Sequence, residues 1–116
     1  PRRARLAMSD AETLVRTYYD CLDSGEYDRL TDVLAPDFTQ ERPDRTFSGR
    51  EEFVEFMREQ RPRTDTTHPI ETVYRASDEQ WAVKGRLVAD DETLTGFVDL
   101  FTLEDSQIRR IETYTD

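Results

Sequence analysis

The hydrophobic rhythm of this chain changes once, at Thr66, and the change limits it to folds that pack helices on a sheet. Before that point apolar residues recur at three- and four-residue intervals, the period of helices with one buried stripe. Ala11, Leu14, Val15, Tyr18 and Leu22 make the first stripe, with a Ser9–Glu12 capping box ahead of it and Gly25 to close it. Tyr18 therefore faces inward, and Tyr19, one position round, is expected near the edge of the stripe. Tyr27, Leu30, Val33 and Leu34 predict a second, shorter helix ended by Pro36, followed by a short strand over 37–42. Ser48 and Glu51 repeat the capping box ahead of Phe53, Phe56 and Met57, and this third helix must stop by Pro62.

From Thr66 the pattern alternates. Strands are predicted over about 66–76, 80–89, 93–103 and 107–115, separated by the polar turns Ser77-Asp78, Asp90-Asp91 and Glu104-Asp105-Ser106. Phe97, Asp99, Phe101 and Leu103 share the face that packs, so Asp99 is an acid among aromatic and aliphatic neighbours. Trp81 alternates with Val83, Gly85 and Leu87, and Gly85 would let a ligand approach the sheet closely. The expected fold is α+β, with three helices from the N-terminal half on a strongly curved, mainly antiparallel sheet. The element order is α-α-β-α-β-β-β-β.

At 116 residues the chain holds one core. Pro1 to Ala7 carry three Arg ahead of Met8-Ser9-Asp10, so residues 1–8 read as an extension before a single domain over 9–116. A net charge of −10 repels polyanions, which excludes nucleic acid and anionic membrane faces as partners. Fifteen of the 16 basic residues are Arg and only Lys84 is Lys. With the acidic excess this is the composition of a protein kept soluble in concentrated salt, although a GC-rich genome also favours Arg codons. Cys21 is the only cysteine, so neither an intrachain disulfide nor a thiolate metal site can form, and a reducing cytoplasm fits. No apolar run approaches the ~20 residues of a membrane span, and residues 1–7 lack the apolar core of a signal peptide.

The stretches LVRTYYDCLDSGEYDRLTDVLAPDF, FSGREEFVEFM and FVDLFTLEDSQIRRIETYTD, in this order, resemble the nuclear transport factor 2-like superfamily, in particular its SnoaL-like polyketide-cyclase and ketosteroid-isomerase branches. The resemblance covers about residues 9 to 116. It implies a conical pocket between sheet and helices, homodimers, and a small, mostly apolar ligand carrying a carbonyl or carboxylate. It also implies that Tyr18 and Asp99 fall where ketosteroid isomerases place a tyrosine and a neutral carboxylic acid that donate to the substrate oxyanion. Burial favours the neutral carboxyl on physical grounds alone.

The general base of that enzyme precedes a proline, and the pair here is Arg42-Pro43. A guanidinium cannot accept a proton at neutral pH. Arg42 is instead expected to ionise Asp99 or to hold an anionic ligand group; an Arg42–Asp99 ion pair that only specifies the fold is the bland alternative. His68, the sole histidine, is a candidate acid or base, or an ordinary strand-end histidine. The pocket wall is expected from Phe38, Phe53, Phe56, Met57, Trp81, Val83, Phe97, Phe101 and Thr113; in a non-catalytic binding or dimerisation module the aromatic residues would fill it. The Arg and two Asp that superfamily epoxide hydrolases use align with Gly85, Leu87 and Thr113, which argues against that activity. One histidine cannot make a multi-histidine metal site, and with no phosphate loop or dinucleotide fingerprint no cofactor is expected.

Overall fold

Each hydrophobic stripe finds its partner surface in a computed structural model that describes residues 8–61 and 65–116, with side chains from Asp10. The helices are α1 (Met8–Ser24), α2 (Tyr27–Val33) and α3 (Arg50–Glu55), the last running on through a π turn at Phe56–Gln60. The strands are β1 (Leu34–Glu41), β2 (Thr46–Ser48), β3 (Ile70–Arg75), β4 (Gln80–Ala89), β5 (Glu92–Glu104) and β6 (Gln107–Thr115). They form one six-stranded sheet in the order β2-β1-β6-β5-β4-β3. All pairs are antiparallel except β1 with β6. The α+β architecture is as expected, with the sheet left open rather than closed into a barrel.

The hairpins are set by their turns. Asp90, Asp91, Asp105 and Ser106 all have positive φ, the left-handed backbone that a two-residue hairpin needs and that Asp tolerates better than most residues. Gly25 ends α1 at φ 72°, as its position after the stripe predicts. The inward face of β5 then stacks Phe97, Asp99 and Phe101 against α1, and Leu30, Phe38, Phe53, Ile108 and Ile111 complete a core that excludes water.

Several boundaries differ from expectation. The strand after α2 starts at Leu34, before Pro36 rather than after it. Pairing with β6 shifts register between Leu34 and Thr39, and β2 pairs only with residues 39–41. Pro36 therefore sits where no ladder donor is required. Strand β2 is an addition, being too short for any periodic signal. Gly49, at φ 100°, occupies the N-cap of α3 in place of Ser48, and Glu52 rather than Glu51 reaches back to accept from the Ser48 N–H at 2.7 Å. Helix α1 already includes Ser9, whose side chain lies outside the described residues along with residues 1–7 and Pro62. Its expected partner Glu12 accepts from Arg16 at 2.9 Å. The first expected strand of the meander, 66–76, shortens to Ile70–Arg75, preceded by an isolated bridge between Thr67 and Val88.

Gly85 leaves no room for a ligand. A Cβ there would meet the Pro69 carbonyl at 2.6 Å and the Phe97 ring at 2.8 Å, so the glycine serves close packing of the chain on itself.

Candidate functional site

Asp99 sits at the centre of a polar cluster built by four elements. It is directly across from Thr113 in the β5–β6 ladder, and both side chains point at the helices. The Thr113 hydroxyl donates to Asp99 Oδ1 at 2.6 Å, and the Tyr19 hydroxyl, from α1, donates to Oδ2 at 2.6 Å. Gln40, from β1, donates through Nε2 to Thr113 Oγ1 at 3.0 Å. Hydroxyl-to-carboxylate distances of this length belong to charge-assisted hydrogen bonds, and they hold the ionised form. Burial acts the other way and dominates: Asp99 is 5% exposed, and its pKa is raised above the ordinary carboxylate value despite the two bonds and the charges of His68 and Arg42.

The tyrosine bound to Asp99 is Tyr19, the neighbour of the candidate Tyr18 on the helix. Tyr19 is 1% exposed instead of marginal, because the curved sheet covers a broad arc of α1. Residues 100° apart on the helix are then both enclosed. Their rings meet edge to face at 5.0 Å. Burial, reinforced by the charge of Asp99, pushes both phenols well above their usual pKa. They are donors throughout the physiological range. The Tyr18 phenol has the Gln40 carboxamide within hydrogen-bonding reach and feels Arg42 and Arg61, all three acting to lower its pKa.

A second pair faces the same space. His68 Nδ1 lies 2.6 Å from Asp23 Oδ1, and the His68 backbone N–H donates to Asp23 Oδ2 at 3.0 Å. A carboxylate on Nδ1 selects the tautomer with the proton there and leaves the Nε2 lone pair free. The ring is flanked by Tyr19 and Phe97 at 5.6 and 5.8 Å between centroids.

All of these groups except Asp23, which stands behind His68, line a cavity of about 340 Å³. Of the residues expected to do chemistry, Tyr18, Arg42, His68 and Asp99 all reach its wall. Of those expected to line it, Phe56, Met57, Phe97 and Thr113 do so. Phe38, Phe53, Trp81, Val83 and Phe101 do not. They are buried in the filled part of the core, where Phe53 packs on Phe38 at 5.1 Å and Phe101 on Tyr18 at 5.6 Å. The β4–β5 register explains the split. Trp81 pairs with Phe101 and Val83 with Asp99, beneath the helices, whereas Leu87 pairs with Thr95 towards the open end.

The Arg42–Asp99 ion pair, the bland alternative to a ligand site, is absent among the described residues. Arg42 pairs loosely with Asp44, at 3.7 Å. Gln40, Arg61 and Thr66 also line the cavity, without having been singled out from the sequence. Arg61 arrives there through the π turn, in which its N–H bonds back to the Phe56 carbonyl at 2.9 Å. The extra residue in that turn brings Phe56, Met57 and Arg61 to one wall. Among the described residues no cluster of His, Cys, Asp and Glu could hold a metal ion.

A family model described as SnoaL-like domain matches residues 15–111. The chain belongs to the SnoaL-like domain family. Solved structures agree on the fold. A Methylobium petroleophilum protein with a cystatin-like fold superposes with a TM-score of 0.84 at 14% identity, covering 97% of this chain and 79% of that one. A nuclear transport factor 2-like protein from Cytophaga hutchinsonii gives 0.80 at 15% identity over 99% and 95% of the two chains. A candidate ketosteroid isomerase from Kribbella flavida gives 0.81 at 22% identity over 93% and 78%. No curated protein matches this SnoaL-like chain.

Proposed function

We propose that this SnoaL-like protein is a cofactor-independent enzyme that moves a proton next to a carbonyl in a small, mostly apolar molecule, by isomerisation, cyclisation or dehydration. The observation that carries the reading is the pairing in one cavity of a carboxylate-oriented imidazole with a buried acid cluster. A group placed to take a proton and groups placed to donate one, facing the same space, are what general acid–base catalysis requires. His68 Nε2 takes the proton from carbon, and the electron pair moves onto the carbonyl oxygen. Tyr18, neutral and facing the cavity, donates to that oxygen. When Asp99 holds its proton on Oδ2 it donates to the Tyr19 hydroxyl, which frees the hydrogen of Tyr19 for the substrate. The captured proton then returns to a different carbon or to a leaving hydroxyl. Arg42 orients the substrate.

The test is deuterium uptake from D2O by 1-phenylbutan-2-one and by phenylpyruvate. Wild-type protein should exchange the hydrogens beside the carbonyl of at least one of them. His68→Gln should slow that exchange by about a hundredfold or more, and Asp23→Asn by less. Equal rates for wild type and His68→Gln would end the proposal.

A second reading is a non-catalytic binding module that acts as a dimer, and it is favoured by the outer sheet face. Tyr74 and Leu100 share one cross-strand row through Ala82, and Val98 and Tyr114 pair in the next. All four are exposed, so this face suits a homodimer. The open cavity, in place of a closed aromatic core, weighs towards ligand chemistry. No helix among the described residues is long and apolar enough to cross a membrane. We place the protein in a reducing, salt-rich cytoplasm on its single cysteine and its acidic, Arg-dominated composition.

A further inference from the structure

The chain carries ten more negative than positive charges, yet the cavity wall reverses the balance. Arg42 and Arg61 line it against the single carboxylate of Asp99. A third arginine stands just behind: the Arg45 guanidinium lies 4.7 Å from the centroid of the cavity-lining Phe56 and 4.3 Å from that of Phe47. The three come from two separate segments, the β1–β2 loop and the end of the π turn. Their convergence is therefore a product of the fold and not of a basic run.

Arg61 is held in place. Its Nη2 donates to the Leu22 carbonyl at 3.1 Å and to the Tyr27 hydroxyl at 3.2 Å, and its buried Nε has no partner among the described residues. Neither Arg61 nor Arg42 is paired with Asp99, so the guanidinium charge at this end is not consumed inside the protein. Asp44, at 3.7 Å from Arg42, is mostly exposed and offsets only part of it. An apolar-walled space with guanidinium donors on its wall, one of them held in place, is matched by a planar carboxylate on a hydrophobic body.

We infer that the ligand is an oxo-carboxylate, with its carboxylate seated between Arg42 and Arg61 and its carbonyl carried inward towards Tyr18 and His68. The inference rests on the proton-transfer reading only for the role of the carbonyl. The carboxylate seat stands on the arginines themselves. Arg42 and Arg61 are positioning residues, and the charge of the ligand is the specificity they impose.

Binding at equilibrium tests this apart from catalysis. Phenylpyruvate and its neutral analogue 1-phenylbutan-2-one share the phenyl, methylene and carbonyl groups, with an ethyl group in place of the carboxylate, and both are titrated calorimetrically into the full chain at low salt. Phenylpyruvate should bind about tenfold to a hundredfold more tightly, the usual worth of hydrogen bonds to a charged group. Arg42→Met and Arg61→Met should each remove about tenfold of that preference, read as the ratio of the two affinities so that a general loss of binding cancels. Circular dichroism checks that each variant is folded, and Arg61→Lys should recover part of the loss. Equal affinity for the two probes, no binding of phenylpyruvate, or a preference that survives both substitutions would each overturn the inference. Absence of deuterium exchange with the preference intact would remove the proton-transfer reading and leave the carboxylate seat standing.

Discussion

Asp99 gives the sharpest quantitative test, because its two neutral replacements differ in a way the hydrogen bonds specify. Asp99→Leu leaves the Tyr19 and Thr113 hydroxyls, each 2.6 Å from the carboxylate, without their acceptor on a largely buried cavity wall. Each stranded hydroxyl costs about 1–3 kcal/mol, so the variant should lose about 2–6 kcal/mol. Asp99→Asn keeps one acceptor oxygen for one hydroxyl and can donate from Nδ2 to the other. It should stay within about 1–1.5 kcal/mol of wild type at acid pH. The pH dependence carries the sign. Burial raises the folded-state pKa of Asp99 above its unfolded value, so below the unfolded pKa of about 3.9 both states are protonated and the native advantage is complete. As pH rises the unfolded chain ionises first, and stability is lost until the folded pKa is passed.

The assay is urea unfolding of wild type and Asp99→Asn from pH 4 to 8, read as a difference so that the other acidic groups cancel. The wild type should weaken relative to the variant with rising pH and then level off. Each unit between the folded and unfolded pKa values contributes about 1.4 kcal/mol to the total fall. A flat difference curve, or one in which the wild type gains with pH, would mean that the two hydroxyl bonds outweigh burial and that Asp99 is an ordinary ionised acceptor. Its part as a proton-holding group would then be withdrawn.

Gly85→Ala should destabilise by about 2–4 kcal/mol in the same urea assay, because the Pro69 carbonyl cannot retreat from a Cβ at 2.6 Å without straining its hydrogen bond from the Arg86 N–H. A loss below 1 kcal/mol would show that the β3 edge gives way easily. Leu100→Asp on the outer sheet face should yield a monomer by sedimentation with the fold intact; an unchanged sedimentation coefficient would argue against this face as the dimer contact. Molar KCl should raise the melting temperature by screening the excess carboxylates, and a flat or falling trend would remove the saline reading.

The periodicities made the helices and the meander legible, and the hairpin registers followed from acidic turns that accept positive φ. What they concealed was position along an element. Alternation puts Trp81, Val83 and Leu87 on one face, but only the helices above decide which of them meets the cavity, and only Leu87 does. Tyr19 was missed for a related reason: a stripe treats the covered face of α1 as narrow, whereas a curved sheet encloses neighbouring positions 100° apart. Gln40 and Arg61 gave no signal, since one is an isolated amide in a short strand and the other depends on a π turn. Arg42, His68 and Asp99 were legible because each departs from what its surroundings in the sequence require.

The open end of the cone is also where the protein departs from its most stable arrangement. Gln40 is 4% exposed with a partnerless Oε1, and Arg61 Nε is buried without a partner among the described residues. Such groups cost about 1–3 kcal/mol apiece, against a total stability of about 5–15 kcal/mol for a domain of this kind. Larger apolar side chains at 40, 99 and 113 would fill the space and remove the cost, as they do at Phe38, Phe53 and Phe101 in the same core. A fold under selection for stability alone would be closed at both ends. Polar groups held out of water with bonding capacity unspent, on the same wall as a carboxylate-oriented imidazole, are what the proposed ligand site requires.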